Sequence, residues 1–138
     1  MTTHMTTLSR STAVASWIAQ IVAAAILVQT LFFKFTGAEE SRFIFSTLGV
    51  EPWGRIASGV LELIAALLLL LPGTAATGAL LAGGIMGGAV LSHLFVLGIE
   101  VRGDRGLLFA LALIVLLSSA TVAFLRRDQL PLIGCKFA

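Results

Sequence analysis

Four long apolar runs, separated by short polar breaks, account for most of the chain. The first covers residues 12–34 and is interrupted only by Ser16, Gln20, Gln29 and Thr30 before Lys34 ends it. At 1.5 Å per residue such a run spans about 33 Å as a helix, enough to cross a bilayer with some tilt. The second, 53–71, follows Glu51-Pro52 and stops at Pro72-Gly73. The third, 75–98, ends before the hydrophilic turn from Glu100 to Gly106, and the fourth, 107–125, stops at Arg126-Arg127-Asp128. A soluble core does not need four such blocks; a polytopic membrane protein does. The pattern predicts an all-α four-span bundle, antiparallel because the connections are short. Polar segments 1–11 and 126–138 read as tails, the second carrying Pro131, Cys135 and Lys136. Met-Thr-Thr occurs at Met1 and again at Met5, and either methionine suits a start. Arg10 with the first run also has the outline of a signal peptide, but the run is about twice a usual h-region and no cleavage site follows, so a retained helix is expected.

The longest break, between Lys34 and Glu51, carries charges first (Glu39, Glu40, Arg42) and apolar residues later. Phe43, Ile44 and Leu48 suit one side of a short helix ended by Gly49. A short amphipathic segment at the membrane surface is the expectation, with a disordered loop as the alternative.

Polar residues inside the spans change the picture most. Glu62 lies well within the second run, seven residues after Arg55, with Ser58 between them on roughly the same helix face. A charged group deep in hydrocarbon costs about 3 kcal/mol on insertion scales, so it turns inward and finds partners. With alternate spans running in opposite directions, Gln29, Thr30, Lys34, Arg55, Ser58, Glu62, Ser92 and His93 fall in one half of the bundle. Gln20, Ser118, Ser119 and Thr121 fall in the other. Three helices placing polar groups at one level predict a polar pocket on the side of the long break. Lys34 and Arg55 would form a cationic rim there, suited to a polar or anionic headgroup. The plainer alternatives are that Glu62 is interhelical glue, that His93 is only a hydrogen-bonded helix partner, and that Lys34 and Arg55 snorkel to the interface.

The third run contains two interleaved Gly-xxx-Gly pairs, Gly83 with Gly87 and Gly84 with Gly88. They predict close helix packing, expected within the chain, with a second copy as the alternative.

Composition supports the class. Hydrophobic residues make up 58% and charged residues 12%, about half the charged share of a soluble domain. The net charge of +2 includes no dense basic run, which argues against nucleic-acid binding. One cysteine, Cys135, excludes an intrachain disulfide and any Cys-x-x-Cys pair. No metal-ligand cluster, phosphate loop or paired catalytic carboxylates is present, and no metal site is expected. His4 lies in the tail, so a monomer cannot face two histidines across a haem within the membrane. Arg126-Arg127 is the tightest basic pair abutting a span, which favours cytoplasmic termini.

Several of these stretches together resemble a family. Lys34-Phe35-Thr36-Gly37, Leu48-Gly49-Val50-Glu51-Pro52-Trp53, Arg55 with Gly59-Val60-Leu61-Glu62, and Leu70-Leu71-Pro72 carry the likeness. Gly78-Ala79-Leu80-Leu81 and Met86-Gly87-Gly88-Ala89-Val90-Leu91-Ser92-His93-Leu94 extend it to about Gly98. The chain resembles the DoxX-like family of small four-helix bacterial membrane proteins, which implies a bacterial cytoplasmic membrane location. That family takes its name from a subunit of a thiosulfate–quinone oxidoreductase, and some distant relatives resemble assembly factors for other membrane proteins. Three functions follow as expectations. The first is an accessory to a membrane redox system, without catalysis of its own, with a pocket for a quinone or other lipophilic ligand and an oxidoreductase as partner. The second is a non-enzymatic assembly or stability factor, and the third, less favoured, a small transporter. Lipid surrounds the chain in each, and a homo-oligomer is compatible with all.

Overall fold

The computed structural model describes residues 8–130. Met1, His4, Met5, Pro131, Cys135 and Lys136 lie outside the described residues. Among those described, all regular structure is helical: α1 (Arg10–Phe35), α2 (Glu39–Thr47), α3 (Trp53–Leu70), α4 (Ala75–Ser92) and α5 (Leu107–Leu125). Four of these helices are long and apolar enough to cross a membrane. α1 begins two residues before its apolar run because Ser9 caps it, accepting a hydrogen bond from the Thr12 N–H at 3.3 Å.

The segment between α1 and α3 is well determined by its ends. α1 closes with the Ala38 N–H donating to the Phe33 carbonyl at 3.0 Å around Gly37, whose φ is +68°. α2 closes in the same way, with Val50 N–H to Phe45 carbonyl at 2.9 Å and Gly49 N–H to Ser46 carbonyl at 3.0 Å. Both are Schellman ends, and both place a glycine in the left-handed conformation they require.

α4 does not run to Gly98 as one α-helix. His93–Leu97 forms a π-helical turn, closed by the Gly98 N–H donating to the His93 carbonyl at 2.7 Å. Such widened turns are uncommon and frequently mark functional sites.

The four long helices close a ring: α1 packs on α3, α3 on α4, α4 on α5 and α5 on α1. Small residues line the seam, with Ala23, Ala24, Ala65, Ala66, Ala79, Ala82 and Ala112 buried among Leu27, Leu69, Val115 and Val122. Alanine lets helix backbones approach closely, which is how helices associate where lipid offers no hydrophobic contrast. The paired glycines of α4 are not used this way, contrary to expectation. A Cβ at Gly84, Gly87 or Gly88 would meet nothing within 4 Å, and at Gly83 only the Ser119 Cβ at 3.9 Å. The close approach is at Gly78 instead, where a Cβ would lie 2.7 Å from the Leu69 nitrogen. Outward positions are apolar: Ile18, Leu67, Leu80, Leu117 and Phe124 are all more than half exposed. In water such a surface would aggregate; in a bilayer it is solvated by acyl chains.

One end of the bundle is tied shut by polar contacts. The Ser16 hydroxyl donates to Gln20 Oε1 at 2.7 Å, Gln20 Nε2 donates to the Leu69 carbonyl at 2.6 Å, and Arg126 Nε donates to the Ser16 oxygen at 2.9 Å. Leu69 sits in the last turn of α3, so Gln20 satisfies a carbonyl the helix itself leaves unpaired. Beyond it, Gln129 accepts from the Ala76 N–H and donates to the Pro72 carbonyl, closing the α3–α4 connection.

Candidate functional site

At the other end the helices enclose a chamber of about 510 Å³, within the range of small-molecule sites. Its apolar walls include Ile26 and Leu27 of α1, Ile85 and Met86 of α4, and Leu108 and Leu111 of α5. α2 covers it with Ser41, Ile44, Phe45 and Leu48, whose spacing of three, four and seven residues sets them on one helix face. Phe43, expected on that face, is exposed and lies under the Arg102 guanidinium, 5.6 Å from its ring centre.

Seven of the eight pocket residues expected from the sequence line this chamber: Gln29, Thr30, Lys34, Ser58, Glu62, Ser92 and His93. Glu62 is fully buried, and Lys34 Nζ donates to its Oε1, joining α1 to α3. The Thr30 hydroxyl sits 3.0 Å from Glu62 Oε2 and 2.8 Å from the Leu27 carbonyl, and donates its proton between them. Lys34 also lies 5.7 Å from the centre of the Phe45 ring, so the same ammonium holds α2 and the buried carboxylate. Ser58 and Ser92 donate back to carbonyls of their own helices, Arg55 at 3.1 Å and Gly88 at 2.8 Å.

Arg55 is the eighth, and it is not in the chamber. Its Nε donates to both Glu51 carboxylate oxygens, at 2.9 and 3.0 Å, and its Nη1 donates to the Lys34 backbone carbonyl. Glu51, four residues away on the adjoining turn, reaches the guanidinium more readily than Glu62 does at seven. Arg55 thus ties the end of α1 to the start of α3 and adds no positive charge to the mouth. The chamber is lined by one lysine against three carboxylates, Glu40, Glu62 and Asp104. The expected cationic rim is therefore absent, and an anionic headgroup would meet a net negative wall.

His93 opens the π-helical turn and is 5% exposed. Its Nδ1 lies 2.9 Å from the Gly98 carbonyl, and its ring meets Phe109 edge-on with centroids 5.7 Å apart. Asp104 stands in the loop before α5. Its Oδ1 accepts from the Val101 and Gly106 N–H groups, both at 2.9 Å, and its Oδ2 from the Leu108 N–H at 3.1 Å. Partial burial works against the charged carboxylate, but these three donors, with His93 nearby, hold its pKa below the usual aspartate value. An acid three residues before the first residue of α5 is a helix-start signal, and that signal was the available clue to Asp104. Ser41 is missed by composition alone, since a serine in a charged stretch looks solvent-facing.

Residues 18–120 match the description of DoxX-like proteins. The chain belongs to the DoxX-like family. No curated protein and no solved structure matches it. The matched span of this DoxX-like protein takes in every chamber residue and leaves outside it the two termini, the beginning of α1 and the last residues of α5.

Proposed function

We propose that this DoxX-like protein is an accessory to a membrane redox system, holding the polar head of an uncharged lipophilic molecule in the chamber beneath α2. A quinone or hydroquinone is the class that fits best. The observation that carries this reading is the lining of the chamber: broad aliphatic walls with a few polar groups among them, Lys34, Glu62, Thr30, Ser41 and His93. Apolar walls hold a ring and tail, while a few placed polar groups fix orientation. The net negative lining favours a neutral head over a phosphate or carboxylate. In this reading the four spans run antiparallel through the bacterial cytoplasmic membrane with cytoplasmic termini. α2 lies at the opposite membrane surface, and the partner is an oxidoreductase that exchanges electrons with the bound molecule.

A second reading is favoured by a different observation. Lys34, Glu62 and Thr30 satisfy one another without a ligand, which is what an assembly or stability factor with a purely structural polar centre would show.

The two are separated by what the protein carries. Protein purified in mild detergent is extracted with organic solvent and the extract identified by mass spectrometry, beside a Gly88→Leu variant. Gly88 borders the chamber and a Cβ there meets nothing within 4 Å, so the position accepts a side chain, and a leucine is the means of taking up space at the chamber wall. The expected result is a stoichiometric lipophile in the wild type and its loss in the variant. Equal, trace amounts in both would leave the structural reading standing.

A further inference from the structure

We infer that His93 makes the chamber selective for ligands presenting a hydroxyl donor, a phenol or hydroquinone headgroup, over the corresponding ether or carbonyl. The inference rests on the reading that the chamber holds an uncharged lipophile.

The argument starts from one contact. A backbone carbonyl has no proton to give, so the 2.9 Å approach of His93 Nδ1 to the Gly98 carbonyl is a hydrogen bond only if Nδ1 carries the proton. In the neutral ring Nε2 then presents a lone pair, an acceptor. The arrangement is held from two sides. Both partners belong to the π-helical turn, where the Gly98 N–H also returns to the His93 carbonyl at 2.7 Å. Phe109 packs edge-on against the ring. Turning the ring over would set a carbon against the Gly98 carbonyl and leave that acceptor unpaired.

His93 borders the chamber, and Nε2 has no hydrogen-bond partner among the described residues, nor is it sealed away from accessible space. It is therefore the ring nitrogen left to meet a ligand. A lone pair there accepts from a hydroxyl and repels an ether or carbonyl oxygen. The charged groups lining the same chamber are Lys34 from α1, Glu40 from α2, Glu62 from α3 and Asp104 from the loop before α5. Lys34 is engaged by Glu62, and Asp104 by three backbone N–H groups. Asp104, as a carboxylate, has no proton to give, and neither Lys34 nor Asp104 is hydrogen-bonded to Nε2 among the described residues.

The test uses two probes of nearly equal shape and no redox chemistry, para-nonylphenol and its methyl ether, para-nonylanisole. Binding to the full chain in detergent is measured by calorimetry at about pH 8.5, above the usual imidazole range. The variant is His93→Asn, whose side-chain amide can still donate to the Gly98 carbonyl but has no acceptor at the Nε2 position. Comparing the phenol-to-ether affinity ratio between the two proteins cancels partitioning into the micelle. The wild type should show a ratio about five- to tenfold above the variant's, the usual effect of one hydrogen bond, with the variant binding the ether as tightly as the wild type or more tightly. Equal ratios would overturn the inference while leaving the chamber as a ligand site. Loss of ether binding in the variant would also overturn it, by making His93 a structural post. If neither probe binds the wild type, the chamber reading itself fails, and this inference with it.

Discussion

Lys34 and Glu62, twenty-eight residues apart in sequence, form a buried ion pair in which the glutamate side chain is 1% exposed and the lysine 15%. Taking both charges out of water or interfacial solvent is costly, so the pair is weak evidence for net stabilisation. Removing one partner is another matter, because it strands the other. Glu62→Gln keeps a hydrogen-bond acceptor for Lys34 and should lower stability in detergent by about 1 kcal/mol. Glu62→Leu leaves the ammonium without one and should cost about 3 kcal/mol or more. Thermal melts of the two variants beside the wild type decide it. Three identical melting curves would mean the pair carries nothing.

Helix packing gives a prediction with opposite signs at neighbouring glycines. At Gly78 even one methyl would collide with the Leu69 nitrogen at 2.7 Å and the Leu68 carbonyl carbon at 2.9 Å. Backbone cannot step aside as a side chain can, so Gly78→Ala should destabilise by about 1–3 kcal/mol. Gly84→Ala meets open space and removes a flexible residue from a helix, which should be neutral or stabilising by up to about 1 kcal/mol. The comparison is read from melting temperatures of the two single variants. A stable Gly78→Ala protein would show that α3 and α4 do not approach as closely as described.

These two cases also show where the sequence is informative. Apolar run lengths declare the four spans, because a bilayer demands about twenty apolar residues per helix. Buried ionisable groups declare the chamber, because hydrocarbon forces Glu62 and its companions inward. Partner choice is less legible. Arg55 and Lys34 are equally basic and both flank Glu62, and only the closing of the 34–51 segment puts Glu51 within reach of Arg55. The Gly-xxx-Gly pairs mislead for a related reason. Spacing shows that glycines share a helix face, but not whether that face turns toward a neighbour, and here alanines line the buried seam. The π-helical turn at His93 has no signal in the run of apolar residues that contains it.

Asp104 predicts a pH dependence. Its folded pKa lies below the ordinary 3.8 because Val101, Gly106 and Leu108 N–H groups bind the charged form. A lowered carboxylate contributes stability that is complete above the unfolded value and lost as pH falls through the folded one. The contribution should therefore be present at neutral pH and fade only below about pH 4. Asp104→Ala removes all three acceptor contacts at the start of α5 and should cost about 1 kcal/mol, as loss of a helix cap does. Melting temperature followed from neutral to acid pH should converge between wild type and variant at the acid end. A constant gap down to the lowest pH would rule out the charged carboxylate as the cause.

The end at which the bundle admits polar solutes follows from the two unlike ends of the ring. Near α2, Ser58 borders the chamber and its hydroxyl is bound only to the Arg55 carbonyl of its own helix. Toward the end of α5, Ser118 neighbours the fully buried Ser119, and beyond them Ser16, Gln20, Arg126 and Gln129 close the bundle with hydrogen bonds across three helices. Cysteines introduced singly at Ser58 and Ser118, with Cys135 replaced by serine, can be probed with a small charged thiol reagent that does not enter lipid. Ser58→Cys should label faster, by about tenfold or more, since a charged reagent is excluded from hydrocarbon and from the closed end but not from a chamber with a polar lining. Saturating para-nonylphenol should slow that labelling and leave Ser118→Cys unaffected. Faster reaction at Ser118 would place the accessible end opposite α2, and neither the chamber nor His93 would then stand where a ligand arrives.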